Sequence, residues 1–140
     1  MVKILVIGSG AREHAIIKSL NKSKKEKEIY CLASNNNPGI SDICKEIKII
    51  DINDAQLIKD YSIKQSVNIA IIGPENPLAY GVADSLWEAG IGVIGPKKNL
   101  AQIETSKSFI IDNILTNVVF PAPEGEDKII ITPSLFEGIY

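Results

Sequence analysis

Lys3-Ile4-Leu5-Val6-Ile7-Gly8-Ser9-Gly10-Ala11-Arg12-Glu13-His14-Ala15 joins an apolar run to a glycine turn and then to a helix-forming stretch. A strand that ends in such a turn points backbone N–H groups into it, and Arg12 adds a cation, so a phosphate could sit there. The pattern stops short of a dinucleotide fingerprint. Gly8-x-Gly10-x-x-Glu13 has glutamate where a third glycine would allow close packing of helix on strand. The predicted second strand, Ile29-Tyr30-Cys31-Leu32-Ala33, ends in Ser34-Asn35, with no acid to hold a ribose diol. A lone phosphate therefore fits this turn better than NAD.

Downstream the rhythm of strand and helix recurs. Ile47-Lys48-Ile49-Ile50 reads as a strand, residues 55–64 as a helix, and Val67-Asn68-Ile69-Ala70-Ile71-Ile72 as a strand ending at Gly73-Pro74. Pro77 opens a helix at its first turn, with Leu78, Ala79, Val82, Ala83 and Leu86 as the apolar stripe, Trp87 alongside and Gly90 as the stop. Ile91-Gly92-Val93-Ile94 is a further strand, running into Gly95-Pro96. Five short parallel strands alternating with helices predict an α/β fold, a Rossmann-like doubly wound parallel sheet over residues 1–101, with residues 102–140 beyond it.

The composition bounds the function. With 15 basic and 17 acidic residues in 140, neither sign dominates, and the backbone-wide attraction needed for nucleic acid is missing. The Lys22–Lys27 stretch, interrupted by Glu26, reads as a solvated helix end. Apolar runs are too short to span a bilayer and the chain opens on a buried-looking strand, so no membrane partner and a cytoplasmic location are expected. Cys31 and Cys44 read as core or semi-buried thiols, because a disulfide or metal pair would want closer spacing and more ligands. No metal cluster can be built around His14, the single histidine.

In open α/β sheets ligands bind beyond the carboxyl ends of the strands. Four segments are expected to meet there: residues 8–13, 34–39, 73–78 and 95–96, all rich in Gly, Pro or Asn, which are also ordinary turn formers. In Gly73-Pro74-Glu75-Asn76-Pro77-Leu78 two prolines brace a loop around one carboxylate and one amide. Glu75 either accepts hydrogen bonds from a sugar diol or an amine, or is a helix-capping charge beside Pro77. Arg12 either binds phosphate or forms a surface ion pair, for instance with Glu13; a cation in a first helical turn opposes the helix dipole, which favours the ligand. His14 either lines the pocket or hydrogen-bonds across the helix start, and the second is simpler. Asn35, Asn36 and Asn37 either bind a polar ligand or build the turn before Pro38-Gly39. The candidate substrate-binding residues are Gly8, Ser9, Gly10, Ala11, Arg12, Glu13, Asn37, Gly39, Gly73, Pro74, Glu75 and Pro77, with no catalytic residue and no metal ligand among them.

These residues resemble the N-terminal domain of glycinamide ribonucleotide synthetase, or phosphoribosylamine–glycine ligase, of the ATP-grasp superfamily. That family's Gly-Ser-Gly-Gly-Arg-Glu-His-Ala opening stands here as Gly8-Ser9-Gly10-Ala11-Arg12-Glu13-His14-Ala15, and its Gly-Pro-Glu-x-Pro-Leu stretch as Gly73–Leu78, with Gly81 and Asp84 beyond. Gly95-Pro96 and the segment with Glu104, Ser106, Lys107 and Phe109 also match, and residues 34–39 correspond more loosely, so the resemblance covers about residues 1–109.

The resemblance implies a part in de novo purine biosynthesis. ATP phosphorylates glycine, the amine of 5-phosphoribosylamine attacks the acyl phosphate, and glycinamide ribonucleotide, ADP and phosphate leave. It places Gly10, Ala11 and Arg12 beside the substrate phosphate and Glu75 beside the ribose hydroxyls, while ATP and Mg2+ belong to the grasp domains. Ala11 in place of glycine keeps a backbone N–H contact where its φ is negative.

The chain ends where the ATP-binding part is expected to begin, without a Walker-type lysine loop or a carboxylate set for Mg2+. The expectation is thus a substrate-binding domain that binds no cofactor alone, is catalytically incomplete, and has a separate or missing ATP-grasp domain as partner. The tail departs from the family: residues 110–120 are apolar with few charges, and Pro121-Ala122-Pro123-Glu124-Gly125, Ile129-Ile130-Ile131-Thr132 and Leu135-Phe136 follow. It either packs as an added helix and strand or stays an aggregation-prone end, which leaves a weak homo-oligomer open. The alternative is a stand-alone Rossmann-like nucleotide-binding or assembly module without catalysis.

Overall fold

The computed structural model describes residues 1–105. The expectations for Ser106, Lys107, Phe109 and residues 110–140 lie outside them. Five strands and six helices follow in order: β1 (Val2–Ile7), α1 (Ala11–Asn21), β2 (Lys27–Ala33), α2 (Pro38–Ser41), β3 (Glu46–Ile49), α3 (Ala55–Gln65), β4 (Ile69–Ile72), α4 (Glu75–Ala79), α5 (Val82–Glu88), β5 (Gly92–Ile94) and α6 (Lys98–Thr105). All strand pairs are parallel and the sheet order is β3-β2-β1-β4-β5. This is the expected doubly wound arrangement, with β1 at the centre.

The central strand is buried because helices cover both faces. Leu5 and Ile7 point to one layer, with Leu32, Ile58, Val82 and Leu86, and Ile4 and Val6 point to the other, with Ile17, Cys31 and Ile40. Side chains alternate with period two along a strand, so a near-continuous apolar run such as Ile4–Ile7 needs two cores rather than one. Val6 pairs with Cys31 on one side and Ile71 on the other, and the three form a row beneath α1 and α2.

One predicted helix is two. The stripe of Leu78, Val82, Ala83 and Leu86 is buried as expected, but the helix breaks between α4 and α5, where Gly81 has φ +85° and caps α5 through the Ser85 N–H to Gly81 carbonyl bond. That left-handed conformation suits glycine and turns the chain so that both short helices keep their apolar sides on the sheet. Trp87 is half-exposed beside them. The first helix begins at Glu75 rather than Pro77, which lies inside it and is buried. Among the described residues no helix is long and apolar enough to cross a membrane.

Cys31 and Cys44 are free thiols. Burial pushes Cys31 up to about 12 and Cys44 up to about 11 from an ordinary 9.0. Tyr30 and Tyr61 are also raised, chiefly by burial, and Lys45 is raised chiefly by its hydrogen bond to Glu28. Each of these groups holds its proton more tightly in the folded state. Their contribution is therefore complete below about pH 9 and is lost as the pH rises through the folded values. The urea midpoint should fall steadily between about pH 9 and pH 12, and a flat or rising midpoint there would contradict these burials.

Candidate functional site

A cleft of about 500 Å³ opens where the β1–α1 loop meets the β4–α4 loop. In the order β3-β2-β1-β4-β5 the chain winds outward from β1 in both directions, so this is the topological switch point of the sheet. Gly8 ends β1 with φ +116°, and its N–H donates to the Leu32 carbonyl at 2.8 Å. The Cys31 thiol donates to the Gly8 carbonyl at 3.3 Å. Gly73 N–H donates to the Ile7 carbonyl at 3.2 Å. Both loops are thus pinned to neighbouring strands before they turn into the crevice.

Residues 8–13 line one side of the cleft, with Pro74, Asn76 and Pro77 opposite. Ala11, Arg12 and Glu13 form the first turn of α1, whose amide hydrogens have no partner within the helix, and Ala11 and Arg12 are exposed to the cleft. The Arg12 guanidinium lies 3.6 Å from the Glu75 carboxylate, both side chains more than half exposed. The ion pair expected as one possibility for Arg12 therefore exists, with Glu75 as its partner instead of Glu13. It links the β1–α1 side to the β4–α4 side. Glu75, in the first turn of α4, is not itself among the residues that line the cleft, and neither is Gly73.

Glu13 is 4 % exposed and turned inward. Its Oε2 accepts the Gly10 N–H at 2.6 Å, which caps α1. Gly73 leaves room for it: a Cβ there would stand 1.9 Å from Oε1. The position that departs from the dinucleotide pattern is filled by a carboxylate packed between two loops.

Asn37 and Gly39 stand behind the loop and do not line the cleft. The Asn37 side chain caps α2 by accepting the Gly39 N–H at 3.1 Å and donates to the Ser9 carbonyl at 3.0 Å. It thereby braces the glycine loop from the α2 side. The His14 ring packs on Gly39, where a Cβ would be 2.6 Å from Cε1, and is absent from the cleft wall. Replacing Asn37 with alanine should cost about 0.5–2 kcal/mol in urea unfolding through loss of the cap.

Gly95-Pro96, the fourth segment expected at the rim, is not in the wall. Residues 51–53, after β3, take that place, and of the expected segment 34–39 Ser34 lines the cleft. Asp51 accepts the Asn53 N–H at 3.0 Å, and Asp54 caps α3 by accepting the Leu57 N–H at 2.9 Å. The run Asp51-Ile52-Asn53-Asp54 carries only helix-start chemistry in its sequence, so nothing local distinguished its first three residues as cleft wall.

The phosphoribosylglycinamide synthetase N-domain family model matches residues 2–104. The chain belongs to this family. Among curated proteins, the chain is 44% identical over 108 residues to the phosphoribosylamine–glycine ligase of Methanosarcina barkeri, covering 77% of this chain and 25% of that protein. It is 50% identical over 109 residues to the ligase of Methanococcus vannielii, covering 78% of this chain and 24% of that one. The chain thus spans about a quarter of the length of the curated relatives it matches. The crystal structure of phosphoribosylglycinamide synthetase from Anaerococcus prevotii superposes with a TM-score of 0.60 at 13% identity, covering 81% of this chain and 28% of that one, a likeness of fold.

Proposed function

We propose that this N-domain binds the phosphoribosyl substrate of a phosphoribosylamine–glycine ligase, 5-phosphoribosylamine, in the crevice between the β1–α1 and β4–α4 loops. The observation that carries the proposal is the exposed first turn of α1, with Arg12, at the switch point of the sheet. Helix N-termini favour phosphate through free N–H groups and the helix dipole, and a guanidinium adds a charge-assisted bond. Ala11 and Arg12 hold the phosphate. Glu75 gives up part of its pairing with Arg12 and accepts hydrogen bonds from the ribose hydroxyls. Gly8, Ser9, Gly10, Gly73, Pro74 and Pro77 shape the loops, and Asn37 and Gly39 support them from behind.

The chemistry of ligation is assigned elsewhere. Among the described residues no group of three or more His, Cys, Asp or Glu side chains could hold a metal ion. An ATP-grasp domain is the partner this reading requires, in purine biosynthesis and in the cytoplasm.

Calorimetric titration of the 140-residue chain with ribose 5-phosphate, a stable stand-in for phosphoribosylamine, tests the proposal. Saturable binding with one site per chain is expected, together with no glycine-dependent ADP formation by the chain alone. A folded chain that takes up no ribose 5-phosphate overturns the binding role. Turnover without a partner overturns the division of labour.

A further inference from the structure

Glu13 is a buried acid in the middle of a loop system otherwise suited to anions. Its Cγ would be 2.9 Å from a Cβ at Gly8, its Oε2 would be 2.7 Å from one at Gly10, and its Oε1 would be 1.9 Å from one at Gly73. Three glycines thus surround the side chain, and none of their positions has room for a Cβ while it is in place. Those glycines come from two loops more than sixty residues apart in sequence.

In a dinucleotide fingerprint the second glycine lets the backbone approach the diphosphate, and the third lets helix and strand pack closely. Here the second is Gly10, and Glu13 Oε2 already occupies its N–H. The third glycine's position is Glu13 itself. Both features a diphosphate would use are therefore consumed by one side chain. Ala11 and Arg12, one step further along α1, are exposed and line the cleft, and their amides lie in the first helical turn, which has no intrahelical acceptor for them.

We infer that Glu13 is a positioning and specificity-determining residue: its caged carboxylate joins the two loops and excludes diphosphate-bridged ligands, restricting the cleft to a terminal phosphomonoester. A phosphomonoester at Ala11 and Arg12 needs neither the Gly10 amide nor the space between the loops, and Arg12 supplies a compensating charge. A diphosphate laid across the crevice must pass over the carboxylate, where like charges oppose each other. This inference refines the phosphoribosyl reading and rests on it for the monoester arm only.

The test compares ribose 5-phosphate with ADP-ribose, in which the same ribose 5-phosphate is joined through a diphosphate to adenosine. Calorimetry is run on the full 140-residue chain as wild type, Glu13→Gln and Glu13→Gly, with a thermal melt of each protein. Glu13→Gln keeps the shape and an acceptor for the Gly10 N–H but removes the charge. It decides the matter if Glu13→Gly fails to fold.

Wild type is expected to favour ribose 5-phosphate, and Glu13→Gln to raise ADP-ribose affinity relative to ribose 5-phosphate by about tenfold or more. Glu13→Gly, which completes the three-glycine pattern and frees Gly10 N–H, should raise it at least as far. An unchanged ratio in folded Glu13→Gln overturns the inference. So does loss of ribose 5-phosphate binding there with no gain of ADP-ribose, which would make the carboxylate a direct ligand contact. Should wild type ignore ribose 5-phosphate while Glu13→Gln gains ADP-ribose, the phosphoribosyl reading fails and the exclusion role stands. No binding of either ligand to any of the folded proteins overturns both.

Discussion

Arg12→Ala should weaken ribose 5-phosphate binding by about tenfold to hundredfold, because a charge-assisted hydrogen bond to phosphate is worth about 1.5–3 kcal/mol. The stability of the fold should barely change. Arg12 is three-quarters exposed and its pair with Glu75 spans 3.6 Å at the surface, where such pairs contribute about 0–1 kcal/mol. Arg12→Lys keeps the charge but loses the planar fork, and should recover only part of the affinity. Calorimetry at two salt concentrations checks both variants, since the charge contribution weakens as salt screens it. Equal affinity in wild type and Arg12→Ala would remove the guanidinium from the site.

Gly73→Ala is the substitution expected to damage the fold most for its size. The new methyl would stand 1.9 Å from Glu13 Oε1, 2.6 Å from Cδ and 2.7 Å from Cγ, so moving the carboxylate tip alone cannot relieve it. The whole side chain must leave its cage and release the Gly10 N–H, which also uncaps α1. Overpacking of this kind costs about 1–3 kcal/mol, and the lost cap adds about 1 kcal/mol. A double-mutant cycle isolates the cause. In a Glu13→Ala background the obstructing atoms are gone, and Gly73→Ala should then cost less than about 0.5 kcal/mol in urea unfolding. If its cost is the same in both backgrounds, the clash with Glu13 is not the reason Gly73 is glycine.

Much of the fold was legible because its signals are local. The apolar runs at residues 4–7, 69–72 and 91–94 each end in glycine and the run at 29–33 in Ser34-Asn35, and parallel strands buried on both faces read as such runs. The edge strand β3 was recognisable from the run Ile47-Lys48-Ile49-Ile50, and stands one residue earlier, at Glu46–Ile49. The break between α4 and α5 was harder to see. The buried positions keep helical spacing straight through it, and only Gly81, whose sequence does not state its φ, marks the turn.

The site divides the same way. Gly8 to Arg12 and Pro74 to Pro77 announce themselves through turn chemistry, and the parallel order brings them together. What stayed hidden depends on contacts across the fold. Arg12 and Glu75 are 63 residues apart, so the sequence offers Glu13, its neighbour, as the obvious partner. Glu13 stands out in the sequence only as a misfit to a glycine pattern; its cage appears when the β4 loop folds against it. Residues 51–53 enter the cleft because β3 is the outer strand beside β2, a placement no local motif encodes.

The central claim is the location of the phosphoribosyl site, and amide chemical-shift mapping of the labelled 140-residue chain during a ribose 5-phosphate titration tests it most directly. The account predicts saturable shifts at Ala11 and Arg12, smaller ones in the β4–α4 loop around Glu75, and none at Gly92 or Val93 on the far strand. Shifts centred on β5 and α6, or saturable binding that leaves Ala11 and Arg12 unmoved, would contradict it.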